Sequence, residues 1–537
     1  MIADALPLVL AGPLVAAAVL MVLRRPVWGR RAVLLGTLGA ALAYGITLVA
    51  ATYGGTVLVA DIGLWPGGIA IPFAADMFSA LMVTATALLT LVCVVFGIVA
   101  GEDEQHYFAP FVLALYGGVA GAMLTADLFN LFVCIEVMLL PSYVLISMFG
   151  GENRLRAGRI YITYNLLASA VFLFGVAFVY GVLGTVNFAE LAGTAKESTA
   201  VAVAIGVVLV ALAMKSGVVP VHGWLPRTYP ETSPTVAAIF SGLHTKVGIY
   251  AIYRVYSLVF DGDERFLGFA VLFVCVTMVF GALSAVGERT IRAVLAFNMV
   301  SGVGYILLGV ALFGPLGLAA GIFYLLHHMV VKTSLFLSAG AVEVRYGTQR
   351  LDQLGGLARK EPLLAFAFVG AALSLIGMPP FSGFAGKFAL LQASVAEHAY
   401  LASFVILAAS LLTLLSMNRL WNGVFWGPVQ REPADAVTET DTDTAAPGAI
   451  VDGASDDGAG GAPASNGAVG VVSRRRAHAK AASPLTHVSP ALAAPAVVLT
   501  LVSLAIGLGA EGLLTLTQQA AAGLIDTSSY VEAVMRE

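Results

Sequence analysis

Apolar runs of about twenty residues recur along nearly the whole chain, and no other feature of the sequence limits its fold so tightly. Hydrocarbon offers no water to meet free backbone N–H and C=O groups. A segment that crosses it must therefore close its hydrogen bonds within itself, as a helix does. Packing the same runs into a soluble core does not work. The chain has 537 residues, 59% of them hydrophobic and 11% charged, whereas soluble chains carry about a quarter charged residues. A single soluble core also stops growing near about 300 residues. The expected fold class is an all-α integral membrane protein, and a soluble enzyme is excluded. A net charge of −4 leaves no basic face for nucleic acid.

The runs place about fourteen transmembrane helices. They lie at roughly 2–23, 32–52, 75–100, 107–125, 128–149, 160–184, 199–219 continuing to about 229, 234–258, 265–287, 291–313, 316–342, 362–397, 401–426 and 490–512. Between the second and third, residues 54–74 combine Gly-Gly, Pro-Gly-Gly and alternating apolar residues, the pattern of a short hairpin outside the bilayer. The start, Met-Ile-Ala-Asp, lacks the basic leader of a cleavable signal, so the first run reads as a retained span. Arg24, Arg25, Arg30 and Arg31 follow the first span, and Arg154, Arg156 and Arg159 the fifth. Arg289 and Arg292 follow the ninth, and Arg345, Arg350, Arg359 and Lys360 the eleventh. All four clusters follow odd-numbered spans. That puts them on one side, the cytoplasm, and both termini outside. The acidic loop Glu102-Asp103-Glu104 departs from this pattern. Cys93, Cys134 and Cys275 lie in apolar runs without CxxC spacing, so neither an iron–sulfur or zinc site nor a disulfide framework is expected.

Residues 429–489 differ in kind. They begin acidic (Glu432, Asp435, Glu439, Asp441, Asp443), pass through Gly, Ala and Ser, and end basic at Arg474 to Arg476 and Lys480. With almost no aromatics, such a segment cannot bury enough apolar area to order itself, and it reads as a disordered cytoplasmic loop. Its basic end leaves a docking or lipid-binding role open.

Most charged side chains sit in loops, but five do not. Glu136, Lys215, Lys246, Lys332 and Lys387 fall well inside the fifth, seventh, eighth, eleventh and twelfth spans. Each costs roughly 2.5–3.5 kcal/mol on insertion scales. Snorkelling relieves such a charge only near a helix end, and one buried charge could be a structural pair. Five at similar depth instead define a line of titratable sites in the membrane plane. His328 and Lys332 are four residues apart and share a face. His327 is turned about 100° from His328 and reads as packing elsewhere. His244 points away from Lys246, so it and His222 remain secondary candidates.

Two spans are interrupted alike. The seventh contains Gly217 and Pro220 just after Lys215, and the twelfth contains Gly377, Pro379 and Pro380 just before Lys387. Proline removes a donor and glycine admits the bend, and the freed carbonyls must be met by water or protein. Matching breaks five spans apart predict two inverted five-helix repeats. The organisation expected is spans one to three (1–106), a first repeat (107–258), a second repeat (265–426), the loop (429–489), and the last span with its tail (490–537).

The stretches FNLFVCIEVMLLPSYVLI, KSGVVPVHGWLPRTYPETSPTVAAIFSGLHTKVGIYAIYR, HHMVVKTSLFLSAG and GMPPFSGFAGKFALL resemble the antiporter-like subunits of Mrp antiporters, respiratory complex I and membrane-bound hydrogenases, most nearly the D-type subunits of the Mrp group. The resemblance implies proton translocation through Glu136, Lys215, Lys246, His328, Lys332 and Lys387, with sodium moved by the whole complex. It also implies other membrane subunits as partners, no cofactor, and a bacterial plasma membrane. Arg227 stands where many relatives carry an acid, and the 429–489 loop exceeds what the fold needs. The competing reading is a pumping subunit of a complex I-like or hydrogenase complex. A scaffold subunit that had lost transport would have no use for so many buried charges.

Overall fold

The computed structural model describes residues 2–62, 71–428 and 487–535. Helices α1 (Leu8–Val22) and α2 (Val27–Ala51) open the chain, and strands β1 (Leu58–Asp61) and β2 (Pro72–Ala75) follow. Next come α3 (Met77–Ala100), α4 (Phe108–Leu124), α5 (Leu128–Ser147) and α6 (Glu152–Leu183). A one-turn α7 (Thr194–Glu197) precedes α8 (Thr199–Ser216), the short α9 (Trp224–Thr228) and α10 (Pro234–Val255). The second half holds α11 (Leu267–Gly287), α12 (Ile291–Ala311), α13 (Pro315–Tyr346), α14 (Leu357–Lys360), α15 (Pro362–Ile376), α16 (Ser382–Ala396) and α17 (Tyr400–Trp421). Helices α18 (Pro490–Leu508), α19 (Ala510–Ile525) and α20 (Ser528–Met535) close it. Among the described residues, twelve helical segments are long and apolar enough to cross a membrane, and α4 and α15 are shorter apolar helices. With those two, the count is consistent with about fourteen passes. Strands β1 and β2 pair antiparallel, as the hairpin reading requires. Residues 429–486 of the expected loop lie outside the described residues.

Polar side chains start several helices. Asp76 and Ser79 cap α3 reciprocally, each side chain taking the other's backbone N–H at 2.9 Å. Asp127 accepts from Asn130 N at 2.6 Å to open α5. Several boundaries differ from those expected. Helix α6 starts at Glu152, so Arg154, Arg156 and Arg159 ride its first turns. The last candidate span ends at Leu508, close to the expected 512. After Gly509 a further helix, α19, follows, and α18 and α19 both pack along α13.

The basic clusters gather at one face of the bundle. Arg31 Nε meets Asp103 Oδ2 at 2.6 Å, and Arg30 Nη2 donates to the His106 carbonyl at 2.9 Å. Arg292 pairs with Glu343 and donates to the Thr232 carbonyl at 2.7 Å, while Arg154 Nε reaches the Glu231 carbonyl at 3.2 Å. The acidic loop belongs here as well. Glu102 accepts from Ser233 Oγ at 2.7 Å and from Thr235 N at 3.0 Å, so a carboxylate sits at the positive end of α10. Burial pushes the Glu102 carboxyl up, and those hydrogen bonds oppose it. At the opposite face, Arg254 pairs with Asp76 at 2.7 Å and stacks on Tyr530 at 4.9 Å, and Gln519 Oε1 accepts from Gly54 N at 3.3 Å.

Corresponding helices of the two halves pack alike. A Cβ on Gly118 of α4 would meet Met138 N and, at 2.8 Å, the Cys134 carbonyl of α5. A Cβ on Gly281 of α11 would meet Ser301 N and, at 2.9 Å, the Phe297 carbonyl of α12. Both neighbours are backbone, which cannot yield without moving a helix. Gly118→Ala and Gly281→Ala are each expected to destabilise the protein by about 1–3 kcal/mol. A thermal-melt series in detergent checks this, and an unchanged Tm in either variant would show the crossing to be looser than described.

Candidate functional site

The breaks in the seventh and twelfth passes have one geometry. Helix α8 ends with Gly217 at φ +78° and α15 ends with Gly377 at φ +97°, a left-handed region open to glycine. Gly217 N donates to the Met214 carbonyl at 3.3 Å and Val218 N to the Ala213 carbonyl at 3.1 Å. Gly377 N donates to the Ser374 carbonyl and Met378 N to the Leu373 carbonyl, at 3.1 and 3.0 Å. This is the same terminal pair of bonds in both halves. In each case a side chain beyond the break also donates to a carbonyl of the helix's last turn. Trp224 Nε1 donates to Met214 O at 2.9 Å, and Lys387 Nζ to Ile376 O at 2.9 Å.

Helices α5, α6 and α8 bring Glu136 and Lys215 together. The ammonium of Lys215 donates to Ser169 Oγ at 2.8 Å, and Ser169 donates to Glu136 Oε1. Lys215 Nζ also lies 3.7 Å from that oxygen. Ser169 is thus a third member of the pair, on a helix where only its small polar side chain in an apolar run hinted at a role. The Lys215 side chain is 4% exposed, whereas Glu136 is 24% exposed on the outer side of this chain.

Lys246, on α10, is fully buried and donates to the Ser241 carbonyl of its own helix. His244 turns the other way, its ring edge-on to Phe240 at 4.0 Å and 6.2 Å from Tyr161, as its two-residue offset predicts. His222 lies beside the first break, 4.7 Å from Phe280 of α11. The structure does not bring it to the line of lysines.

On α13, Lys332 donates to the Leu295 carbonyl of α12 at 3.2 Å and lies within electrostatic reach of both Lys246 and Lys387. The His328 ring occupies the space a side chain at Gly302 would take, and neither ring nitrogen has a protein partner among the described residues. Gly302→Ala is expected to push the ring aside and lower transport by roughly a hundredfold, since misplacement by about 1 Å can cost that much. Exchange assays on the assembled complex check this; full activity would mean that the position of His328 is unimportant. His327 is turned from His328, and its Nδ1 contacts Ser382 Oγ of α16 at 2.8 Å.

Lys387 has more partners than its sequence context shows. Besides Ile376 O, it donates to Ser410 Oγ of α17 at 3.1 Å and sits 4.9 Å over the Tyr305 ring. Tyr305 and Tyr324, 5.2 Å apart, continue toward the α13 histidines. Tyr305 and Ser410 carried no sequence signal beyond being polar groups within apolar runs. Among the described residues, no cluster of His, Cys, Asp or Glu could hold a metal ion.

Residues 125–413, which contain every one of these groups, match the family model described as NADH:quinone oxidoreductase/Mrp antiporter, TM. The D subunit of the Na+/H+ antiporter of Alkalihalophilus pseudofirmus is 41% identical over 72% of this chain and 80% of its own length. A chain in the structure of the Mrp complex from Dietzia sp. DQ12-45-1b superposes with a TM-score of 0.89 at 47% identity, covering 100% of both chains. Respiratory complex I from Thermus thermophilus contains a chain of the same fold, with a TM-score of 0.75 at 23% identity, covering 98% of this chain and 100% of that one. Sequence and fold agree, and this chain belongs to the NADH:quinone oxidoreductase/Mrp antiporter transmembrane family, among the D-type subunits of Na+/H+ antiporters.

Proposed function

We propose that this chain is the proton-translocating subunit of a multisubunit Mrp-type Na+/H+ antiporter, a secondary active transporter in which inward proton flow drives outward sodium movement. The observation that carries the proposal is the file of buried ionisable groups through both halves. It runs from the Glu136–Lys215 pair, through Lys246, His328 and Lys332, to Lys387 at the second break. A desolvated lysine gives up its proton more readily, and a nearby carboxylate reverses that. Moving one partner charge therefore shifts the next site, as coupled titrations require. Residues 107–258 and 265–426 act as inverted repeats with a break in each. The chain works in the bacterial plasma membrane, its basic face toward the cytoplasm and both termini outside, beside other subunits of the complex. Glu136 is half-turned to the outer surface of the bundle, where a neighbouring subunit would screen it from lipid.

Sodium-dependent proton flux in everted vesicles holding the complete complex tests the proposal. Lys246→Met is expected to bring flux to background while the complex still assembles on native gels. Wild-type flux in that variant would remove the relay, since Lys246 is the one lysine of α10, where the first half packs on α13.

A further inference from the structure

Three serines beside the second break are bonded in an unusual way. Ser374 belongs to the last turn of α15, Ser382 opens α16 and Ser503 lies on α18, and all three are fully buried. A buried serine in a membrane helix ordinarily returns its proton to a carbonyl of the preceding turn. Ser216, Ser394 and Ser410 do this, at 2.8, 3.0 and 2.8 Å from the carbonyls of Leu212, Leu390 and Ile406. The three serines at the break bond one another instead. The Oγ–Oγ distances are 2.7 Å for Ser374–Ser503, 2.9 Å for Ser382–Ser503 and 3.3 Å for Ser374–Ser382.

The fourth contact of the cluster is His327 Nδ1 to Ser382 Oγ, at 2.8 Å. When all three Oγ–Oγ contacts are hydrogen bonds, the triangle uses the three hydroxyl protons, and the contact to His327 is then donated by the imidazole Nδ1–H, with Nε2 as the basic nitrogen. Nε2 is buried and has no protein partner among the described residues. Position 383 is glycine in this crowded corner: a Cβ there would collide with the Ser374 carbonyl oxygen and stand 3.0 Å from His327 Cε1. His327 also feels the charges of both Lys387 and Lys332.

Resting on the relay reading above, we propose that His327 is a proton-holding station between Lys332 and Lys387, positioned by the Ser374–Ser382–Ser503 hydroxyl triangle. Helix α18 is thereby part of the transport machinery. In the step, one N–H bond of a neighbouring lysine ammonium breaks as an N–H bond forms at His327 Nε2. The lysine is left as a neutral amine and the imidazole becomes imidazolium; release to the next lysine reverses both changes. Nδ1 keeps its proton throughout and donates to Ser382, so the triangle holds the ring in one tautomer and breaks no bond itself.

The test is sodium-dependent proton exchange by the complete complex in vesicles, normalised to assembled complex on native gels, with Lys387→Met as the control. His327→Gln can still donate to Ser382 but cannot carry a proton, and is expected to lower exchange by roughly a hundredfold. Ser503→Ala opens the triangle and is expected to cost about tenfold, whereas Ser503→Thr restores a hydroxyl and stays near the wild-type rate. Wild-type exchange in both His327→Gln and Ser503→Ala, with Lys387→Met inactive, would overturn this inference and leave the relay standing. Equal losses in the Thr and Ala variants would reduce Ser503 to a packing role and overturn the positioning of His327. An active Lys387→Met would overturn the relay reading itself.

Discussion

Arginine in place of Lys387 is expected to stop sodium-driven proton exchange, lowering it by roughly a hundredfold or more, although the positive charge is kept. A guanidinium does not release its proton at any accessible pH, so a relay that needs the amine to alternate between two states ends there. Space argues in the same direction. A Cβ at Gly377 would come within 3.0 Å of Lys387 Cδ, so the side chain runs through a narrow gap at the break, where a planar fork fits poorly. Lys387→Met should abolish exchange as well, but for a different reason. It keeps the volume and removes the proton site. Read from sequence, an amine at this depth is uncompensated, and its loss should leave folding intact or improve it. The structure changes that expectation, because Ile376 O, Ser410 and the Tyr305 ring all face the ammonium. Methionine leaves the Ile376 carbonyl unmet at a cost of about 1–3 kcal/mol. Assembly should survive with a lowered Tm. pH-dependent exchange in everted vesicles, run beside native gels, separates the two effects. Near-normal exchange in the arginine variant would remove Lys387 from the relay, and failure of either variant to assemble would return it to a structural role.

The second large effect lies at the other end of the file. Glu136→Ala and Lys215→Ala should each abolish exchange. Removing one partner of a buried pair leaves the other uncompensated, at roughly 3–5 kcal/mol, and the partial exposure of Glu136 in this chain puts the glutamate side at the lower end. Combined, the two changes should be non-additive by about 0.5–3 kcal/mol in stability. Ser169 makes the cycle more informative, since it accepts a hydrogen bond from Lys215 and donates one to Glu136. Ser169→Ala leaves two charges 3.7 Å apart with no hydroxyl between them. If the hydroxyl carries the coupling, the Glu136–Lys215 interaction energy should shrink in the Ser169→Ala background. An interaction energy that is unchanged there would assign the coupling to the charges alone. Strictly additive losses in the original cycle would mean that Glu136 and Lys215 do not act together at all.

Much of this protein follows from the order of its residues alone. Apolar runs have to become helices, because hydrocarbon leaves the backbone no other partners. The basic clusters after odd-numbered spans fall on one face, and Gly217–Pro220 and Gly377–Pro380 locate both breaks. Each of these depends on interactions within one segment or with the bilayer, and so it can be read in one dimension. The positions of Glu136 and the four lysines are legible for the same reason, since depth in the membrane is measured along the helix. Their partners are not. Ser169, Ser410 and Tyr305 are ordinary polar residues in apolar runs, and only the rotation and tilt of α6, α17 and α12 aim them at charges. His327 shows the limit most clearly. Its 100° offset from His328 does rule out a shared face, but α13 is wrapped on all sides, so the other face meets α16 instead of lipid. The acidic loop at Glu102 is similar: it breaks a rule about sides until α10 is seen to begin against it. Depth and span number are properties of single segments in a bilayer. Which side chain completes another's hydrogen bonds depends on how a dozen such segments pack against one another, and only the tertiary structure decides that.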